Sequence, residues 1–162
     1  MNAQPTQIND RWGLSCTFAD LMDLYEINYV RLRVLLPDLS SIRDSAVSEV
    51  PDCIGLYLQV VERTRYTTTL RLYYAFPEHG EDRNAPYLKI RIYHDARTAE
   101  AMTGNVQRDN GSVDFSESLE SRWRRNRFLY KWLGYCLRRG HRFREGDASV
   151  RASRAEACEL TV

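Results

Sequence analysis

Apolar residues recur at helical spacing from Phe18 to Leu36, and at every second position through three later segments. In the first stretch Phe18, Leu21, Met22, Tyr25, Tyr29, Leu32 and Leu36 fall within one arc at about 100° per residue, the stripe expected to face a core. Thr17, with Asp20 three residues on, has the form of an N-cap and a weak capping box, and Pro37 closes the helix. Ile27, Val30 and Val34 make a second stripe nearly opposite. A two-sided helix either lies between layers of its own fold or offers a partner surface; the first is the preferred expectation.

Asp38 to Pro51 reads as a polar connection. Ile54 to Glu62, Tyr66 to Phe76 and Tyr87 to His94 then alternate and are rich in β-branched and aromatic residues, which predicts three strands. Leu70 and Leu72 share a face with Tyr66, Thr68, Tyr74 and Phe76, while Thr67, Thr69, Arg71 and Tyr73 share the other. Leu88, Ile90 and Ile92 likewise oppose Lys89, Arg91 and Tyr93. A short hairpin turn is expected near Arg63 and Thr64, and a longer surface loop from Pro77 to Pro86. Asp95 to Thr103 is read as a bent or bulged continuation of the third strand, with a short helix capped by Asp95 as the alternative. A second helix follows over about Glu117 to Arg139, with Leu119, Trp123, Tyr130, Leu133 and Leu137 inward and Gly140 as its stop.

These elements predict a single α+β domain, an antiparallel sheet of three or more strands packed against two long helices. Residues 1–15 and 144–162 hold little that a core would bury, so the domain is placed at 16–143. A chain of 162 residues is long enough for one sizeable core. Nothing approaches the about 18 consecutive apolar residues of a membrane span, and no basic, apolar leader opens the chain, so a cytoplasmic protein without membrane contact is expected. Cys16, Cys53, Cys136 and Cys158 lie far apart, and His79, His94 and His141 do not cluster near them in sequence. Reduced thiols, with no metal and no cofactor, are the expectation.

Net charge is +1, but its distribution is uneven. From Arg122 to Arg144 there are nine Lys or Arg and no acid, which leaves the remainder of the chain acidic. On the second helix Arg124, Arg127, Lys131 and Arg138 form a narrow basic ridge, with Phe128 and Tyr135 beside it. Cations interleaved with aromatics suit a nucleic-acid strand, one screening phosphate and the other stacking on bases. A solvated helix face is the plainer reading and is preferred, because no companion nucleic-acid motif is present.

The outer sheet positions Thr67, Thr69, Arg71, Lys89, Arg91 and Tyr93 offer hydroxyl and guanidinium donors to an anion, although an ordinary solvent-facing sheet looks similar. His94, Asp95 and Arg97 end a strand and could form an acid–base group, yet the parity of His94 points it inward as a structural histidine. No nucleophile elbow, phosphate loop or dinucleotide fingerprint occurs, and no catalytic residue is assigned.

Four segments, Leu24 to Asp38 (LYEINYVRLRVLLPD), Val61 to Leu72 (VERTRYTTTLRL), Ile90 to Ala101 (IRIYHDARTAEA) and Asn126 to Gly140 (NRFLYKWLGYCLRRG), together resemble the YqiB-like family of bacterial proteins. That family is a domain of unknown function, so the resemblance implies domain limits and no activity. The chain departs from the family's pattern at Ser116 to Arg122 (SESLESR), and its arginine density beyond that point is individual. The expected function is therefore a non-catalytic accessory protein that binds a protein partner or a small anionic ligand. The surface expected to carry it runs through Arg65, Arg71, Arg91, His94, Asp95 and Arg97. Nucleic-acid binding through the basic ridge is the first alternative, and a hydrolase using His94 and Asp95 the second.

Overall fold

A computed structural model describes residues 17–74, 87–102 and 118–144. Helix α1 spans Phe18–Leu35, strands β1 to β5 span Ser45–Ser48, Leu56–Arg63, Thr67–Tyr74, Tyr87–Tyr93 and Thr98–Ala101, and helix α2 spans Leu119–Arg138. The five strands form one antiparallel meander in the order β1-β2-β3-β4-β5. The α+β architecture expected from the pattern is the one observed. Among the described residues no helix is long and apolar enough to cross a membrane.

Local chemistry accounts for the helix ends. Thr17 and Asp20 form the full capping box, the Thr17 Oγ1 accepting from Asp20 N at 3.2 Å and the Asp20 carboxylate accepting from Thr17 N at 2.9 Å. At the end of α2, Gly140 N donates to Leu137 O and His141 N to Cys136 O, the Schellman pair, with Gly140 at φ 91°. That left-handed turn sends the chain back toward the core, where Phe143 is 1% exposed and its N–H reaches Leu35 O at 2.9 Å.

The core lies between one face of the sheet and the two helices. Leu56, Leu58, Leu70, Leu72, Leu88, Ile90 and Ile92 point into it, as strand parity predicts, with Ala46, Ala99 and Ala101 from the outer strands. Leu32, Leu35, Leu129 and Leu133 meet them from the helices. Small side chains at Ala99 and Ala101 let the helices approach the edge strand β5. Its exposed hydrogen-bonding groups are covered there: Asn126 Oδ1 accepts from Ala101 N at 2.7 Å, and Arg125 Nη1 donates to Ala101 O at 3.3 Å. Helix side chains thus take the place of a further strand.

Several expectations need correction. The polar connection contains β1, and the chain after β4 does not continue as a bent strand. It turns at residues 94–97, with Arg97 at φ 54°, and returns as β5. The buried stripe of α1 is Leu21, Leu24, Tyr25, Asn28, Leu32 and Leu35, while Phe18 is 66% exposed. Of the second stripe Val30 and Val34 are 60% and 45% exposed while Ile27 is half-buried, so most of that stripe is left uncovered by the described elements. In α2 the buried positions are Trp123, Asn126, Leu129, Leu133, Gly134 and Cys136, and Leu119 is exposed. Tyr66 is also exposed, in the turn before β3. The expected 77–86 loop and the two tails fall outside the described residues, apart from Arg144.

Candidate functional site

The side of the sheet turned away from the helices is written by the strand register as four rows. Val47, Tyr57, Tyr73 and Tyr87 form the first; Ser45, Gln59, Arg71 and Lys89 the second. Glu62, Thr69, Arg91 and Glu100 form the third, and Thr67, Tyr93 and Thr98 the fourth. Glu62 joins this face because the register slips between Val60 and Glu62, the extra residue Val61 reversing the alternation of β2. The same slip turns Arg63 the other way, where its guanidinium donates to the carbonyls of Leu39, Ser40 and Ile42 around a short 3₁₀ turn.

Within the rows, the Tyr57 and Tyr73 rings stack with centroids 5.6 Å apart. The Arg71 guanidinium lies over Tyr87 at 4.8 Å, and its buried Nε has no hydrogen-bond partner among the described residues. Arg91 Nε donates to Thr69 Oγ1 at 3.2 Å, and its terminal nitrogen stands 4.0 Å from Glu62. Arg71 and Lys89 are direct cross-strand partners, and neither Ser45 nor Gln59 in their row brings a negative charge. Like charges placed directly opposite cost stability in a sheet, by a few tenths to about 1 kcal/mol. At the far edge, Tyr25 of α1 lies beside Glu100, and burial together with that carboxylate pushes its hydroxyl up to about 12.

The six residues expected to form one surface are not brought together. Arg71 and Arg91 share the open face. His94 is on the helix side, its Nε2 2.8 Å from Thr68 Oγ1, and burial, with Arg33 and Arg63 nearby, holds its imidazole below the ordinary value. Arg65, Asp95 and Arg97 are exposed in the two turns at one end of the sheet, linked by the bond from His94 N to Tyr66 O. Among the described residues no hydrogen bond joins Asp95 to His94, so the acid–base pair of the hydrolase reading is not assembled. On the basic ridge, Arg124 pairs with Glu120 and Arg127 stacks over Trp123 at 5.1 Å, while Lys131, Arg138 and Phe128 are exposed.

A further feature went unseen in the sequence. Where the β1–β2 loop, the end of β3 and the end of α2 meet, a cleft of about 340 Å³ is lined by Asp52, Cys53, Ile54, Tyr74, Tyr135, Arg139 and His141. The Tyr74 hydroxyl and the buried Cys136 Sγ are 3.2 Å apart, and desolvation pushes both groups up. His141 is 1% exposed, with Nδ1 3.2 Å from Ser48 Oγ, which also accepts from Arg142 N at 3.1 Å. Cysteine and histidine far apart in sequence therefore share a site. Among the described residues, however, no group of three or more His, Cys, Asp or Glu is placed to hold a metal ion.

Residues 31–142 match the family model described as "Protein of unknown function (DUF1249)". The chain belongs to the DUF1249 family. It is 32% identical over 128 residues to "Uncharacterized protein YqiB" of Escherichia coli strain K12, covering 76% of this chain and 90% of that protein. The same figures hold for the proteins of that name in strains O6:H1 and O157:H7. No solved structure matches the chain. The DUF1249 match takes in the sheet, all of α2 and His141, and so contains both the charged rows and every residue that lines the cleft.

His94 and His141 both lie below the free imidazole value of 6.5, chiefly through desolvation. The unfolded chain then binds protons at a pH where the folded chain does not. This contribution to stability is whole above pH 6.5 and is lost as pH falls through the folded values. The urea midpoint is accordingly expected to drop between pH 7 and pH 5, by less in His94→Gln than in the parent. An equal drop in both would remove His94 from the account.

Proposed function

We propose that this DUF1249 protein is a non-catalytic, cytoplasmic accessory protein whose open sheet face binds a small anionic ligand through Arg71, Lys89 and Arg91. The observation that carries this reading is the direct opposition of Arg71 and Lys89, with the Arg71 Nε without a partner among the described residues. A row that sets two cations against each other is a poor choice for stability alone, and an anion between them turns the repulsion into two charge-assisted hydrogen bonds. The adjoining row of Tyr57, Tyr73 and Tyr87 gives such a ligand an aromatic border.

The test is thermal denaturation of the full chain against inorganic pyrophosphate, nucleotides, sugar phosphates and short oligonucleotides. A ligand at about 100 times its Kd adds roughly 2.7 kcal/mol of stability. Lys89→Gln leaves the Arg71–Tyr87 stack in place, so without ligand it is expected to be as stable as the parent or more so, by up to about 0.5 kcal/mol. With ligand it should lose most of the shift. If no small anion moves the midpoint, or Lys89→Gln responds as fully as the parent, the reading fails. A response to oligonucleotides alone, abolished by Lys131→Ala with Arg138→Ala, would transfer the function to α2 instead.

A further inference from the structure

The cleft beside the end of α2 lies on the helix side of the sheet, apart from the charged rows, and its chemistry differs from theirs. Tyr74, Tyr135 and Ile54 supply most of its apolar lining. A volume of about 340 Å³ falls at the small end of the range of ligand pockets, which are apolar cavities with a few convergent polar groups. Two such groups are present here. The Arg139 guanidinium lies against the Tyr135 ring with its centre 5.4 Å from the ring centroid, and its Nε donates to the Tyr135 hydroxyl at 3.2 Å. That commits one nitrogen and fixes the plane, leaving the two terminal nitrogens as a fork, with no carboxylate among the described residues paired to it.

The second group is His141. Its ring is almost wholly buried yet lines the cleft, and Nδ1 is occupied by Ser48. Nε2 is the nitrogen with no partner among the described residues. The backbone fixes this placement: the Schellman turn at Gly140 sets the direction, and Phe143 pins the chain two residues on. Burial keeps the imidazole neutral at pH 7, so Nε2 presents a single neutral hydrogen-bonding position and no charge. A cation that suits a planar fork, two aromatic walls and a neutral polar end describe one class of molecule.

We propose that this cleft is a second binding site, for a small aromatic carboxylate, with Arg139 holding the carboxylate, Tyr74, Tyr135 and Ile54 flanking the ring, and His141 meeting a polar group on the ring's far side. Cys53 and Asp52 complete the lining. The site is independent of the sheet-face reading and stands or falls separately from it.

The experiment is an NMR titration of the full chain with benzoate and 4-hydroxybenzoate. Saturable binding of one equivalent is expected, tighter for 4-hydroxybenzoate, with shifts at the amides of Cys53, Tyr74 and His141. Removing one side of a bidentate charged pair weakens binding by roughly tenfold or more, which is the loss expected in Arg139→Gln. Ile54→Trp places a large side chain in the cleft from an exposed position and should abolish binding while the fold is retained. Lys89→Gln should bind as the parent does, which separates this site from the sheet face. Failure of both compounds to saturate, or unchanged binding in Arg139→Gln and Ile54→Trp, overturns the proposal.

Discussion

Phe143→Ala is expected to cost about 3–5 kcal/mol, the range for deleting a buried phenylalanine. The side chain is 1% exposed and belongs to the main core cluster, and its N–H closes onto Leu35 O at the end of α1. Among the described residues it heads the fully buried side chains by volume, and it lies outside every helix and strand. A domain with about 5–15 kcal/mol in hand loses a large part of its stability from that single change. Phe143→Leu, which keeps most of the volume, should cost far less, under about 1.5 kcal/mol where the core can repack. Urea unfolding of the three proteins tests this. A loss below about 1 kcal/mol in Phe143→Ala would mean that the segment after α2 is not part of the cooperative core. The change also reaches the cleft: His141 is two residues away, held by Ser48, and once unpinned its share of the acid sensitivity should vanish.

Local signals are what the sequence made readable. Thr17 with Asp20, and Gly140, mark helix ends through atoms only a few residues apart, and both act as read. The faces of β3 and β4 follow from alternation alone, because the core supplies a continuous apolar partner on one side. β1 and β5 were not legible. They are four residues each, SAVS and TAEA, and bury only one face of small or polar side chains. The turn that forms β5 uses Arg97 at φ 54°, a conformation that carries no glycine to announce it.

The helix faces depart from the apolar pattern for a specific reason. The buried stripes of α1 and α2 each contain an asparagine, Asn28 and Asn126, which a pattern of apolar residues passes over. Passing over them rotated both predicted faces, toward Phe18 in one helix and Leu119 in the other, both of which are exposed. The charged residues of the open sheet face were visible one by one, but the opposition of Arg71 and Lys89 depends on register, and that of Glu62 on a bulge. The cleft lies beyond the reach of the pattern, since its residues come from three segments and Cys53 and His141 are far apart in the chain.

Those two asparagines also set the other large effect. Asn126 Oδ1 is the acceptor for Ala101 N, and Nδ2 donates to Arg122 O at 2.9 Å. Asn28 Nδ2 donates in turn to Asn126 O at 3.2 Å, so α1, α2 and β5 are joined through one buried position. In Asn126→Ala the Arg122 carbonyl keeps its place in the helix, but the Ala101 N–H is left unpaired beneath two helices. An orphaned buried donor costs about 1–3 kcal/mol beyond the lost bond, so a total near 3 kcal/mol is expected. Asn28→Ala differs in kind. It removes one donor and, with it, an Oδ1 that has no partner among the described residues, so the loss should be nearer 1 kcal/mol. The ordering of the two variants in urea decides the matter, and amide exchange at Ala101 locates it: exchange should quicken in Asn126→Ala by more than global stability explains. If Asn28→Ala proves the more costly, packing between the helices outweighs the covering of the sheet edge. The asparagine at 126 would then matter as a helix contact, and β5 would owe its place to Arg125 and to the close packing of Ala99 and Ala101.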